Sequence, residues 1–133
     1  MSKRYLLDTH CWLWWNAQPE SLSPQAHEII ADGHNEILFS VVSAWEIIIK
    51  HALGKLRLPV PPEKYVPSRL SRNQIGTAEI RLEHVLNIAK LPQHHRDPFD
   101  RLLISQAQVD KLTFITAERQ IKKYKVELLW AAA

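Results

Sequence analysis

The sequence predicts an α/β fold: a single three-layer domain over residues 1–133, with a central, mostly parallel sheet of four to five strands flanked by helices. Short apolar runs alternate with longer helical patterns, as expected for strands joined by helical crossovers. A chain of 133 residues is long enough for one sizeable core and short for two domains. Its 46% hydrophobic and 23% charged residues are typical of a folded globular protein.

The first half of the chain contains two predicted strands and three predicted helices. In order, they are a strand at residues 4–7, a helix around 12–15, a helix from 23 to 33, a strand at 36–40 and a helix at 42–53. Ser23 and Pro24 supply an N-cap and a proline at the first helical position, and Gly54 ends the third helix. The spacing of apolar residues in that helix predicts a core stripe made of Trp45, Ile48, Ile49 and Leu53.

The second half begins with a proline-rich loop at residues 56–67, which leads into a short helix. Asp97 and Pro98 form a strong helix start later in the chain. The predicted elements after the loop are a helix around 64–72, a strand at 77–80, a helix at 83–89, a helix from 97 to 109, a strand at 113–116, a short helix at 118–123 and a strand at 126–130.

The sequence favours a cytoplasmic protein without a membrane association. Its longest apolar runs, at residues 11–15 and 41–49, are shorter than the roughly 20 residues that span a bilayer. The N-terminal residues pass into the first strand without the small-residue cleavage site of a secretory signal. Cys11 cannot form an internal disulfide, and its apolar setting predicts a packed thiol rather than a nucleophile.

Five acidic residues share one kind of position, at a strand end or near a helix start. They are Asp8, Glu46, Asp97, Asp100 and Glu118. A parallel sheet brings such positions to one edge, where the carboxylates would repel each other unless a cation joined them. Oxygen ligands without paired Cys or His favour Mg²⁺ or Mn²⁺ over Zn²⁺. The acids therefore predict metal-dependent chemistry on phosphate.

Each acid also has a structural interpretation. Asp97 is a good N-cap, and Asp8 could accept backbone N–H bonds in a turn. Asp100 shares a helical face with apolar residues, which turns it toward the sheet. Glu46 lies in an almost wholly apolar helix and needs a partner, either Lys50 one turn later or a metal. Taken together, the structural interpretations explain the pattern less well than a metal site does, because each would have to hold independently at positions that meet at one sheet edge.

Competing phosphate chemistry has weaker support in the sequence. Neither a GxxxxGK[ST] nor a GxGxxG motif is present, and the three glycines stand alone. A nucleophilic Asp8 is an alternative, but phosphotransferases of that kind carry a second aspartate where this chain has His10. The net charge is +3, and basic residues gather around the acids, which suits a polyanion. They are Lys50, His51, Lys55, Arg57, His94, His95, Arg96 and Arg101.

Four segments make the chain resemble a PIN domain, and within that family the VapC-like toxin nucleases of toxin–antitoxin pairs. The segments are residues 5–10, 43–47, 94–103 and 115–118. The resemblance implies a ribonuclease with a Mg²⁺ or Mn²⁺ centre, in which Asp8, Glu46 and Asp100 are catalytic metal ligands. Asp97 is an extra acid that could be a ligand, a group that supports the ligands, or only a cap. Glu118 stands where the family commonly has aspartate.

The resemblance also implies a mechanism, partners and substrate contacts. Metal-activated water would hydrolyse the RNA phosphodiester bond without a protein nucleophile. Candidate substrate-binding residues, chosen for their closeness in sequence to the acids, are Thr9, Ser43, Lys50, His95, Arg96 and Arg101. Expected partners are RNA, a cognate antitoxin and a second copy of the chain, and the tryptophans at residues 12–15 serve either an interface or the core. The alternative function is a catalytically silent module that binds RNA or protein.

Overall fold

The computed structural model describes residues 3–94 and 97–133, and within them five strands form one parallel sheet. The strands are β1 (Arg4–Leu7), β2 (Glu36–Ser40), β3 (Gly76–Ala78), β4 (Thr113–Thr116) and β5 (Leu128–Trp130). Their spatial order is β3-β2-β1-β4-β5, and every neighbouring pair is parallel. The predicted α/β fold class is confirmed.

The helices of the described residues lie between the strands. They are α1 (Thr9–Ala17), α2 (Pro24–Ala31), α3 (Val41–Ala52), α4 (Pro62–Asn73), α5 (Leu82–Asn87) and α6 (Pro98–Asp110), with 3₁₀ turns at Pro19–Ser21, Ile88–Lys90 and Arg119–Lys123. None of these helices has the length and apolar character required to cross a membrane.

Two apolar cores cover the two faces of the sheet. Along β1 the side chains alternate, so Tyr5 and Leu7 join one core while Leu6 joins the other. Residues of α1, α2 and α4 complete the first core, and residues of α6 dominate the second. This gives the three predicted layers and holds β1 rigidly at the centre.

The aromatic run of α1 is divided between the core and the surface. Trp12 is fully buried, with its ring 4.6 Å from Phe39 and 6.0 Å from Tyr65 between centroids, whereas Trp14 and Trp15 are only partly buried. Burial raises the pKa of the Cys11 thiol well above its usual range, which agrees with a packed cysteine.

The predicted core stripe of α3 is wrong. Trp45 and Leu53 are 52% and 64% exposed, and Ile48 and Ile49 are exposed as well. The helix instead buries the face made of Val42, Ser43, Glu46 and Ile47, two of which are polar. The polar members are tolerated inside because each has a partner there, as described below.

Several element boundaries also differ from the prediction. Helix α4 begins at Pro62 rather than near residue 64, since proline fits the first helical position, and it contains Pro67 within its second turn. The short helix predicted after β4 is present as a 3₁₀ helix at Arg119–Lys123, capped by Glu118. Helix α3 ends at Ala52, and Gly54, the predicted stop, follows two residues later with a φ of +73° that suits glycine.

Candidate active site

Asp8 lies at the carboxyl end of the central strand. The chain passes from β1 to β2 on one side, and β4 lies on the other side of β1. The carboxyl ends of β1 and β4 therefore form the topological switch point, which is where open α/β sheets bind ligands. The Asp8 backbone N–H donates to Ile115 O at 2.9 Å, and the Thr116 hydroxyl donates to Asp8 Oδ2 at 2.7 Å. The Asp8 carboxylate is therefore buried and held in one orientation.

Glu46 faces the same edge from the second turn of α3. The residue is only 3% exposed, and its Oε2 accepts a hydrogen bond from Lys50 Nζ one turn later. Its other oxygen, Oε1, is buried and has no hydrogen-bond partner among the described residues. A buried carboxylate oxygen left this way is costly, which makes it a candidate for binding something that the protein itself does not supply.

Asp97 and Asp100 open helix α6 beside this edge. Asp97 Oδ1 accepts hydrogen bonds from the backbone N–H groups of Phe99 and Asp100 at 2.9 and 3.0 Å, so Asp97 is an N-cap. The cap fixes the first turn of α6, and with it the position of the partly buried Asp100. Asp97 thus has a structural role whether or not it also contacts a ligand.

Glu118 occupies the outer side of the site. It is exposed, its Oε1 accepts from Gln120 N at 3.2 Å, and its own N–H donates to the Thr116 hydroxyl at 3.0 Å. Thr116 therefore connects the backbone at Glu118 to the Asp8 carboxylate.

The five acids line a common cavity of about 280 Å³. Its lining residues are Asp8, His10, Trp14, Glu46, Lys50, Asp97, Asp100, Ala117 and Glu118. Burial, together with the charges of Asp8, Asp97, Glu46 and Glu118, raises the pKa of Asp100 to about 8. Burial and the charge of Glu46 raise the pKa of Asp8 to about 6, against the opposing hydrogen bond from Thr116. Burial and mutual repulsion thus disfavour the charged forms of Asp8 and Asp100, and carboxylates perturbed in this way are frequent at functional sites.

Lys50 is the cation that the fold places among the acids. Partial burial alone would lower the pKa of Lys50, but its hydrogen bond to Glu46 and the charges of Glu46, Asp97 and Asp100 raise it above the usual value. Within the described residues, no three acidic, histidine or cysteine side chains are grouped closely enough to hold a metal ion as they stand. The acids share a cavity without forming a closed ligand set.

Of the six predicted substrate-binding residues, three are buried, one lines the cavity and two lie outside the described residues. Thr9 and Ser43 are buried and hydrogen-bond to each other at 2.7 Å, joining α1 to α3. Arg101 is also buried and donates to Pro92 O at 2.8 Å and Tyr124 Oη at 3.3 Å, which favours a structural role over the predicted RNA contact. His95 and Arg96 lie outside the described residues. Lys50 lines the cavity.

The sequence-based prediction missed His10 and Trp14 as members of the site. Both line the cavity, and their ring centroids are 5.8 Å apart in an edge-to-face arrangement. They are four residues apart on α1, immediately after Asp8, so they share one face of the helix. That spacing was a usable signal.

Known proteins share the fold and part of the sequence. The sequence model of the PIN domain family matches residues 5–127. Ribonuclease VapC16 of Mycobacterium tuberculosis is 43% identical over 60 residues, which cover 45% of this chain and only 41% of that relative. Ribonuclease VapC22 of the same organism is 25% identical over 121 residues, covering 90% of this chain and 91% of that protein.

Two solved structures resemble the chain in fold. The Rickettsia felis VapBC2 complex, bound to a DNA fragment from its promoter, contains a chain with a TM-score of 0.70 and 19% identity, covering 95% of this chain and 97% of that chain. A toxin–antitoxin complex from Klebsiella pneumoniae gives a TM-score of 0.58 and 16% identity, with 88% and 89% covered. At these identities the likeness shows the fold alone.

Proposed function

Since the chain belongs to the PIN domain family, we propose that it is a divalent-metal-dependent endoribonuclease and the toxin of a toxin–antitoxin pair, with residues 1–133 as one nuclease domain. The observation that carries the proposal is the cavity at the switch point, which is lined by acids from four segments of the chain. The RNA substrate is supported by the relatives named as ribonucleases.

The residues present fit Mg²⁺ or Mn²⁺. The donors are all oxygens, and one of them, on Glu46, is buried and has no partner among the described residues. Burial, together with repulsion among the acids, raises the pKa of Asp8 and Asp100. Asp8, Glu46 and Asp100 would hold the ion, with Asp97 and Glu118 at the margin of the ligand set. Such an ion, when bound, supplies activation of water and stabilisation of charge on the reacting phosphate.

The chain's own residues prepare this site in three ways. Thr116 orients the Asp8 carboxylate, and the Asp97 cap fixes the turn that carries Asp100. Lys50 positions Glu46 and adds a positive charge that favours an approaching phosphate. The hydrogen bond between Thr9 and Ser43 keeps α1 and α3, and therefore Asp8 and Glu46, in a fixed relation.

Protein partners are part of the proposal. The solved structures that share the fold are toxin–antitoxin complexes, which supports a cognate antitoxin. The exposed apolar residues of α3, which are Trp45, Ile48, Ile49 and Leu53, support a protein interface. A second copy of the chain is the predicted partner at this surface. A ribonuclease of this kind would act in the cytoplasm, where its RNA substrates are.

RNA cleavage with purified protein tests the proposal. Wild type should cleave RNA with Mg²⁺ or Mn²⁺ and stop in EDTA, and Asp8→Asn and Asp100→Asn should be inactive. Asp32→Asn is the matched control, because Asp32 is exposed and, among the described residues, its side chain hydrogen-bonds only to His34 two residues later. Cleavage that survives both EDTA and the two site substitutions would overturn the proposal.

One observation favours the alternative of a catalytically silent binding module. Lys50 already neutralises one of the acids, and the described acids do not form a closed ligand set. A silent module would bind RNA without cutting it and would show no Mn²⁺ binding by calorimetry. Measuring metal binding and cleavage on one preparation separates the two functions.

A further inference from the structure

A second cavity, of about 260 Å³, adjoins the acidic one. His10 and Trp14 line both cavities, so the two aromatic rings form the wall between them. The far side of the second cavity is built by Tyr65 of α4 and by the loop at residues 56–59. Pro59, Pro61 and Pro62 limit the conformations of the chain where this loop enters α4, so the wall is well defined.

The second cavity differs from the first in chemistry. Its lining is mainly apolar, with Leu13, Leu56, Leu58 and Pro59 as examples, and Arg57 is its cation. Its volume lies below the roughly 300–1,000 Å³ of pockets that take drug-sized ligands, so it suits a small group rather than a folded segment. An aromatic wall, apolar sides and a nearby arginine suit a nucleobase attached to a phosphate.

We infer that this second cavity binds the base of a nucleotide flanking the scissile phosphate, with Trp14 as its stacking surface and His10 beside it. The inference rests on the proposed ribonuclease function and deepens it, because a base bound there would set sequence preference. Continuity with the acidic cavity favours RNA over a protein side chain: a phosphate at the acids places its own nucleotide at the shared wall. Arg57 then faces the adjoining backbone.

Two neighbouring tryptophans provide a matched pair of variants. Trp14 belongs to the shared wall, whereas the Trp15 ring lies 4.9 Å from that of His27, away from the acids. Trp14→Ala should lower kcat/KM for RNA cleavage about 5- to 150-fold, as expected for the loss of one stacked base. The loss should fall mainly on KM, Trp14→Phe should restore most of it, and Trp15→Ala should cleave like wild type.

Abasic RNA makes the test independent of the variants' folding. A randomised RNA pool first identifies a site that wild type cuts. The probe is a synthetic oligoribonucleotide that contains this site, with an abasic residue on one side or the other of the cut phosphate. Removing one of these bases should lower the kcat/KM of wild type as much as the Trp14→Ala substitution does. It should lower the kcat/KM of the Trp14→Ala variant little further.

The outcomes separate this inference from the proposed function. If wild type cleaves, Asp100→Asn is inactive and neither Trp14→Ala nor either abasic RNA has an effect, the base site is overturned and the ribonuclease stands. In that case the cavity belongs to a protein partner. If wild type does not cleave RNA with Mn²⁺, both proposals fail. Melting temperatures of both tryptophan variants confirm that they are folded.

Discussion

Helix α6 carries a carboxylate at each end, and the two are in opposite electrostatic states. Asp110, at its C-terminal end, accepts hydrogen bonds from Arg81 Nη2 at 2.7 Å and from His84 Nε2 at 3.0 Å. Partial burial would raise the pKa of Asp110, but these two partners lower it below its usual value. Asp100, at the N-terminal end, has its pKa raised to about 8 by burial and by neighbouring acids.

The difference separates a carboxylate whose charge is favoured by two hydrogen-bond partners from one whose charge is disfavoured by burial and by neighbouring acids. His84 is fully buried, and its Nδ1 accepts from the Arg81 backbone N–H, which leaves the ring proton on Nε2 for Asp110. That cluster joins α5 to α6 with its donors and acceptors matched. Asp100 and four other carboxylates line a cavity that also contains Lys50, and acids clustered in a cavity are more typical of a ligand site than of a structural ion pair.

The largest expected effect is on RNA cleavage. Asp100→Asn should reduce kcat at least about 10²–10³-fold, the range for removing one group that stabilises charge in a reaction, so that ordinary assays detect no cleavage. Asp110→Asn, on the same helix, should cleave within a few-fold of wild type. Single-turnover cleavage with Mn²⁺ measures both. Equal losses in the two variants would mean that the substitutions act through the fold of α6 and not through chemistry.

Metal binding should have the next largest effect. If the acids hold the ion, Mn²⁺ at about 100 times its dissociation constant should raise the free energy of unfolding by roughly 2.7 kcal/mol. Chemical unfolding with and without Mn²⁺ measures this. Asp110→Asn must keep the increase, and Asp8→Asn or Asp100→Asn must lose most of it. An unchanged stability in wild type would argue that the acids do not act together.

In the absence of metal, the two ends of α6 should respond oppositely to neutralisation. Asp110→Asn should lower the free energy of unfolding by about 1–3 kcal/mol, because it removes charge-assisted hydrogen bonds and leaves the buried His84 poorly paired. Asp100→Asn should leave stability unchanged or higher, because it relieves repulsion. Urea unfolding in EDTA decides between them, and a destabilised Asp100→Asn would contradict the comparison.

The sequence predicted the positions of the acids better than the surroundings that define their role. Strand ends and capping residues are local signals, so Asp8 after β1 and the Asp97 cap were predictable. The orientation of α3 was not, because apolar residues occur on all its sides and a contact with Thr9 of α1 holds its polar Ser43 inward. The base site was missed because part of its far wall comes from residues 56–59. The sequence predicted only a proline-rich loop there and did not show which element the loop packs against.

The smallest effect is on the pH dependence of stability, and it distinguishes the two ends of α6 by sign. A raised pKa means that Asp8 and Asp100 support the fold below their ordinary value of 3.8 and lose that contribution as the pH rises toward 6 and 8. The lowered pKa of Asp110 gives the opposite: its contribution is present above 3.8 and is lost as the pH falls through the lowered value.

Melting temperatures from pH 3 to 9 in EDTA should therefore fall for wild type between about pH 4 and pH 8 on account of Asp8 and Asp100. Asp100→Asn should flatten that fall, and saturating Mn²⁺ should reduce it, since a bound cation favours the ionised carboxylates. Asp110→Asn should keep the fall and lose part of the decline at acid pH. A wild-type profile that rises between pH 4 and 8 and is insensitive to Asp100→Asn would mean that the acids are already neutralised within the fold.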